Sequence, residues 1–167
     1  REEVAAQPAE FVPAPAGPWV LQRAIDVNGE GREIDGRKWE GDDAANFGCN
    51  GKALVTAEVA PRPETAPARA AMLTSFRFSR NLEVTFRKLP AGTYAVFAYV
   101  FEDNQSERLS FFVEGRSVER NYASGAAGQW RRLGPWIARV NDGALDMVGK
   151  GGAVNLSGIE LWKREEK

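Results

Sequence analysis

Alternation of apolar and polar residues is the main signal in this chain, and it is clearest over residues 92–115, GTYAVFAYVFEDNQSERLSFFVEG. With a polar four-residue turn at 103–106, this stretch predicts a long β-hairpin. Because side chains alternate across a strand, one face of this hairpin carries only aliphatic and aromatic groups and should face a core. That face comprises Val96, Ala98, Val100, Leu109, Phe111 and Val113.

The other face of the predicted hairpin mixes aromatic rings with polar groups and allows two interpretations. Either other parts of the chain cover both faces, or the rings near the turn form the floor of a binding surface. The candidate residues of that surface are Tyr99, Phe101, Glu102, Asp103 and Asn104. In the same register Glu102 faces Glu107, and because like charges repel, a cation or a polar ligand is expected to offset them.

Turn signals elsewhere divide the chain into about ten short strands. Asn28-Gly29, Asp35-Gly36, Asn50-Gly51 and residues 141–143 are such signals, and residues 149–152 predict a turn between two final strands. The Pro-rich residues 60–70 predict a surface crossing, and residues 71–78 predict a short strand. No segment predicts a convincing amphipathic helix. This pattern is typical of an all-β sandwich.

Composition along the chain predicts three parts. Residues 1–18 are rich in Ala, Pro and Glu without periodicity, which is typical of a linker or arm. Residues 19–163 predict one β-sandwich domain, and residues 164–167 form a charged tail. A start at Arg1 rather than Met indicates a processed or excised piece, so we expect the domain to be part of a larger multidomain protein.

Composition excludes several kinds of catalysis, metal site and partner, because the chain has no His, a single Cys and a net charge of -1. Histidine-based catalysis and histidine metal sites are excluded. Interspersed acids and bases argue against nucleic acid as a partner, and no long apolar run predicts membrane insertion. Cys49 cannot pair within the chain, and its surroundings in the sequence predict an ordinary, unreactive thiol.

Paired carboxylates and metal-binding loops are two further ways in which a sequence can carry chemistry. Glu102 and Asp103 are adjacent, so an extended backbone points them to opposite faces, and the same holds for Asp42 and Asp43. The chain therefore predicts no glycosidase-type acid pair, no catalytic residue and no enzyme activity. No EF-hand loop is present and no metal ligands or cofactor are predicted, although irregular structural calcium sites leave no signature and stay open.

Several planar side chains lie beside predicted loops. Trp39, Trp130 and Trp136 have Gly, Asn, Asp or Arg nearby, which is the composition of a sugar site. An aromatic ring faces the C–H surface of a sugar while polar groups bind its hydroxyls. The alternative for each ring is a role in the core or in anchoring a loop. Asn155 is either a hydrogen bonder at the start of the last strand or a ligand contact.

Three segment pairs together resemble the malectin-like and galactose-binding-like β-sandwich families. RAIDVNG with DGRKW is similar to the malectin opening "AIN-x-GG … D-x-G … W", and GTYAVFAYVFED with LSFFVEG is similar to the hairpin that follows. VNDGALDM with AVNLSGIELW is similar to the closing "DG-x-L … ISGIEV" pattern. The resemblance spans residues 19–163 and implies a jelly-roll-like, galactose-binding-domain-like sandwich of two antiparallel sheets.

The same resemblance implies carbohydrate binding through loop residues. Asn155 occupies a place similar to the Asn before the last strand of family 6 and family 35 carbohydrate-binding modules. EDNQSE replaces the Tyr-bearing loop of malectin, so the identity of the ligand is not implied.

These observations predict a non-catalytic carbohydrate-binding module of a larger extracytoplasmic or secreted protein, with an oligo- or polysaccharide as its partner. The competing hypothesis is a structural or protein–protein interaction sandwich without a glycan ligand. The predicted ligand-binding residues are Trp39, Tyr99, Glu102, Asp103, Asn104, Trp130, Trp136 and Asn155.

Overall fold

A computed structural model describes residues 15–166, and within this range the chain folds into eleven strands and one short helix. The strands are β1 (Trp19–Asp26), β2 (Arg32–Ile34), β3 (Arg37–Trp39), β4 (Phe47–Cys49), β5 (Lys52–Val55), β6 (Ser75–Phe86), β7 (Gly92–Phe101), β8 (Arg108–Val113), β9 (Arg116–Ala123), β10 (Trp130–Val140) and β11 (Leu145–Arg164). The helix is α1 (Pro67–Leu73).

Strand β11 connects the two layers of the molecule. Its residues 147–151 pair with β8, residues 145–150 and 154–156 pair with β6, and residues 156–164 pair with β7 and β1. Register shifts between Lys150 and Val154 and between Leu156 and Gly158 interrupt its pairing, and such bulges bend a strand. Nine strands thus form one antiparallel, hydrogen-bonded system folded into a β-sandwich, as predicted.

The strands distribute between the layers as follows. One layer has the order β9, β8, β11, β6, with β4 and β5 both attached to β6. The other has the order β10, β7, β11, β1. The register of β10 shifts between Leu133 and Trp136, at the Gly134-Pro135 bond. The predicted Asp35-Gly36 turn is confirmed, with φ of 56° and 74°, and it joins β2 to β3.

The predicted inward face of β7 and β8 is confirmed, but their predicted pairing is wrong. The six apolar residues assigned to that face all lie in the core between the layers. Strand β7 pairs with β10 and β11, whereas β8 pairs with β11 and β9. The connection 102–107 crosses from one layer to the other, so the strands face each other across the core. Alternation along each strand is the same in both arrangements, so it could not distinguish them.

A second apolar cluster covers the other face of β7. Tyr99 and Phe101 are buried there together with Trp130 of β10 and Trp39 of β3. The helix α1 contributes Met72 to the same cluster. Of the two interpretations of this face, the structure therefore supports a strand covered on both sides.

Two local predictions are wrong. No helix was predicted, but residues 67–73 form α1, which takes residues 67–70 from the predicted crossing and residues 71–73 from the predicted strand. An Ala-rich run with Pro at its first helical position favours a helix, and Met72 and Leu73 bury its apolar side. Residues 149–152 continue β11 instead of forming a turn. A Cβ on Gly151 would lie 2.1 Å from the carbonyl oxygen of Arg108, so glycine permits this close approach to β8.

The limits of the predicted domain are described only in part. The arm of residues 1–18 lies mostly outside the described residues, and β11 extends to Arg164, into the predicted tail. Within residues 15–166 no helix is long and apolar enough to cross a membrane.

Candidate functional site

A cleft lies on the outer face of the sandwich where β5, β6 and β11 run side by side. Lys52 of β5 and Asn155 of β11 are both directly opposite Phe78 of β6, and Leu54 is opposite Phe76. Since directly opposite residues project to the same side of a sheet, these five side chains share one face. Two adjoining cavities of about 200 Å³ and 680 Å³ open over this face.

The loop 102–107, which connects β7 to β8, forms the wall of the cleft. The side-chain amide of Asn155 donates to Oδ1 of Asp103 at 2.9 Å and to the carbonyl oxygen of Phe101 at 3.0 Å. The backbone N–H of Asn104 donates to Oε2 of Glu102 at 3.0 Å. These bonds hold the wall against the floor.

Ser124 fixes the loop from the other side. Its hydroxyl donates to Oε1 of Glu102 at 2.5 Å, and it accepts from the backbone N–H of Glu107 at 2.8 Å. Burial raises the pKa of Glu102 above its ordinary range, and the nearby charges of Asp103 and Glu107 add to this effect. Glu102 and Glu107 do not face each other in a hairpin as predicted, but the two carboxylates are near enough to interact, and Ser124 links the side chain of Glu102 to the backbone of Glu107.

Phe78 is the aromatic residue of this cleft, and sequence reasoning missed it. Its ring is half-buried and meets Phe76 edge-on, with centroids 6.5 Å apart and planes at 66°. In the sequence FRFSR of residues 76–80, strict alternation would place Arg80 on the same face as Phe76 and Phe78, and so mix a cation with two rings. That mixture was the available signal that this face is not an ordinary core face.

Glu107 was also missed as a cleft residue. It lines both cavities, together with Phe78 and Ala153. A Cβ on Gly152 would come within 1.7 Å of Oε1 of Glu107, so this side chain lies across the glycine of the β11 bulge. The bulge glycine thus makes room for a carboxylate between the two cavities.

The four predicted stacking rings lie in the core rather than at the cleft. The exposed fractions are 3% for Trp39, 1% for Tyr99, 3% for Trp130 and 6% for Trp136. The expectation that these rings offer open faces to a ligand is not met. Their neighbouring Gly, Pro and Arg residues indicated loops, but an indole in a sandwich strand removes its large apolar surface from water by turning inward.

These four rings pack against other aromatic rings in the core. Tyr99 stacks on Trp130 at 6.4 Å between centroids and meets Trp39 edge-on at 5.5 Å, while Trp136 packs on Phe111 at 5.3 Å. The indole N–H of Trp130 donates to the carbonyl oxygen of Pro63 at 2.8 Å. The aromatic residues thus anchor strands and crossings.

Of the eight predicted ligand-binding residues, the structure brings four together. Glu102, Asp103, Asn104 and Asn155 all line the smaller cavity. Within residues 15–166 no group of three or more His, Cys, Asp or Glu is arranged to hold a metal ion. A calcium site built from backbone carbonyls stays a prediction.

Comparisons with known proteins place this geometry in context. No protein-family profile matches the chain, and no curated protein matches it in sequence. Solved structures do match in fold. β-Glucuronidase 2 of Bacteroides uniformis superposes with a TM-score of 0.69 at 17% identity, over 86% of this chain and 18% of the enzyme. The extracellular domain of ANXUR2 from Arabidopsis thaliana superposes with a TM-score of 0.68 at 15% identity, over 87% of this chain and 49% of that one.

At these identities the likeness shows the fold alone. The chain is a β-sandwich domain of a kind found within larger proteins, and it spans less than a fifth of the glucuronidase and about half of the ANXUR2 domain. These matches support the predicted β-sandwich fold, and the relation to the malectin-like and galactose-binding-like families stays a prediction.

Proposed function

We propose that this β-sandwich is a non-catalytic carbohydrate-binding module that holds an oligo- or polysaccharide in the cleft over Phe78. One observation carries the proposal: a half-buried aromatic ring lies directly opposite Asn155 in an open cleft whose wall carries carboxylates. An apolar ring face suits the C–H surface of a sugar, and planar amide and carboxylate groups suit its hydroxyls.

The polar groups have different roles in this proposal. Asn104, Glu107 and the second carboxyl oxygen of Asp103 accept or donate hydrogen bonds to sugar hydroxyls. Glu102 acts as a positioning residue, because both of its oxygens already accept hydrogen bonds from the protein. This use of carboxylates to hold the loop supports binding without cleavage. Each hydrogen bond contributes only about 1 kcal/mol net, so the affinity of one module should be weak, and several linked modules would raise it.

The cellular setting follows as part of the same proposal. The module belongs to a longer, extracytoplasmic protein. The two structural neighbours support this, since each contains the matching domain within a longer chain and one of them is an extracellular domain.

A protein-interaction sandwich remains the competing function, and one feature favours it. Strand β5 pairs with β6, and its four residues are all exposed, with exposed fractions of 37% for Leu54 and 66% for Val55. Exposed apolar side chains on such a strand suit the addition of another protein segment.

Binding to a panel of plant, algal and bacterial glycans tests the proposal. Calorimetry should show binding that Phe78→Ala weakens about tenfold or more, since loss of ring contact of about 1.4 kcal/mol has that effect. Phe112→Ala is the matched control, because this half-buried ring lies on β8 and does not line the cleft. It should leave binding unchanged.

Two results would overturn the proposal. Failure to bind any glycan of the panel would favour the interaction sandwich. Release of products from a bound glycan, abolished by Glu102→Gln, would show an enzyme instead of a binding module.

A further inference from the structure

Two cations lie at the wide end of the cleft. Lys52 and Arg80 are exposed and line the cavity of about 680 Å³. Lys52 is directly opposite Phe78, and Arg80, two residues beyond Phe78 on β6, lines the same cavity as both of them. Among residues 15–166, neither cation forms an ion pair with a carboxylate. We call Lys52 and Arg80 the basic end.

The opposite end of the cleft is acidic. Glu102 and Asp103 line the cavity of about 200 Å³, and Glu107 lies between the two cavities, across Gly152. Asn155 is directly opposite Phe78, and Arg80 is two residues beyond Phe78 along β6. Two residues of an extended strand span about 7 Å, which is roughly the length of a sugar unit with its substituents. One ligand can therefore contact both ends.

This polarity distinguishes among anionic ligands. A nucleic acid carries a negative charge on every unit, and the carboxylates at the narrow end repel such a backbone. A sugar chain that carries a carboxylate or sulfate on some positions and hydroxyls on others meets both ends favourably. The planar guanidinium of Arg80 can bind either anion through two hydrogen bonds, and the ammonium of Lys52 adds a second charge.

We propose that Lys52 and Arg80 make the cleft selective for acidic glycans, with a carboxylate or sulfate ester held at the basic end and neighbouring hydroxyls held by Asn104, Asp103 and Glu107. The inference rests on the proposed function, because it names the ligand class of the same cleft. It also predicts how the affinity for an acidic glycan changes when each charge is removed. Removing Lys52 and Arg80 weakens binding of the acidic glycan, and removing the charge of Glu107 strengthens it.

Calorimetry with matched ligand pairs tests the inference. One pair is a uronic acid oligomer before and after methyl esterification of its carboxylates, and the other is a galactan oligomer with and without sulfate esters. The charged member of at least one pair should bind about tenfold more tightly, and the pair that shows this preference identifies the anion. Raising the salt from about 0.1 M to about 1 M should reduce the preference, because the Debye length falls from about 10 Å to about 3 Å.

Substitutions of Lys52 and Arg80 test whether these two residues cause the preference for the charged ligand. The double variant Lys52→Gln/Arg80→Gln should lose the preference, about tenfold, and should still bind the uncharged members. Lys88→Gln/Arg116→Gln is the matched control, because it removes the same charge from exposed residues that do not line the cleft. Glu107→Gln should increase affinity for the charged member severalfold at low salt. Thermal unfolding of each variant verifies that it is folded.

The two proposals fail in different ways. If charged and uncharged members bind equally, or if the double variant keeps the preference, the basic end does not select acidic glycans and the glycan-binding function stands. If neither member of either pair binds, and the wider panel is also silent, the proposed function is wrong and this inference is wrong with it.

Discussion

The hydroxyl of Ser124 donates a 2.5 Å hydrogen bond to Oε1 of Glu102, and this bond joins the connection after β9 to the wall of the cleft. Glu102 is buried, with an exposed fraction of 3%. Its backbone is held as well, because its N–H donates to the carbonyl oxygen of Gln129 at 2.9 Å. A carboxylate removed from water in this way makes the stability of the cleft wall depend on pH.

Glu102→Gln should reduce the pH dependence of the free energy of unfolding. Burial raises the pKa of Glu102 in the folded protein above its ordinary value of 4.5. As pH rises from that value through the folded-state pKa, the folded state holds the proton more tightly than the unfolded state does, so stability falls. The Gln variant lacks this loss.

Urea unfolding at a series of pH values between roughly 4 and 8 measures the effect. The stability difference, variant minus wild type, should increase with pH over this interval. A difference that is constant with pH would show that the pKa of Glu102 is the same in the folded and unfolded states.

Glu160→Ala should destabilise the domain strongly. This buried carboxylate accepts from the guanidinium of Arg132 at 2.7 Å, from the indole N–H of Trp162 at 2.8 Å and from the hydroxyl of Tyr99 at 2.8 Å. Its removal leaves the largely buried charge of Arg132 without its partner, which costs about 3–5 kcal/mol. Urea unfolding at neutral pH measures the loss.

Glu166→Ala is the control for this experiment. Glu166 pairs with Arg139 at 3.4 Å, and both side chains are about half exposed, at 52% and 54%. Exposed pairs contribute about 0–1 kcal/mol, so the control should be nearly neutral. Equal losses in the two variants would contradict the role assigned to the buried network.

Trp136→Ala should act through stability and not through the cleft. The ring is buried and packs on Phe111 in the core between the layers. Truncation of such a ring costs about 3–5 kcal/mol. Urea unfolding should show this loss, and calorimetry on the fraction that remains folded should show unchanged glycan affinity. Loss of affinity in the folded variant would show that Trp136 contributes to glycan binding.

Cys49 should react slowly with a thiol-specific disulfide reagent while the protein is folded. Burial raises the pKa of this thiol to about 12, so the reactive thiolate is scarce near neutral pH. Addition of denaturant should expose the thiol and restore an ordinary rate. The time course of reagent absorbance with and without urea measures both rates, and equal rates would show that Cys49 is not protected in the folded state.

Local sequence was informative wherever a short segment determines its own conformation. The alternation over β7 and β8 and the Asp35-Gly36 turn both depend on nearest neighbours along the chain, and both are present. The four polar residues Glu102, Asp103, Asn104 and Asn155 line one cavity, and their role in binding stays a prediction. Three of them are consecutive, and Asn155 directly precedes the segment of β11 that pairs with β7.

Sequence by itself determined which faces of the strands are apolar and that the chain forms an all-β sandwich. Only the tertiary structure decided which strands are neighbours. Alternation predicts that a side chain is buried, but it does not predict which strand packs against it. That is why β7 and β8 face each other across the core, and why Trp39, Trp130 and Trp136 are buried. The cleft depends on β5, β6 and β11 meeting side by side, a long-range pairing that places Asn155 opposite Phe78 and that no local pattern encodes.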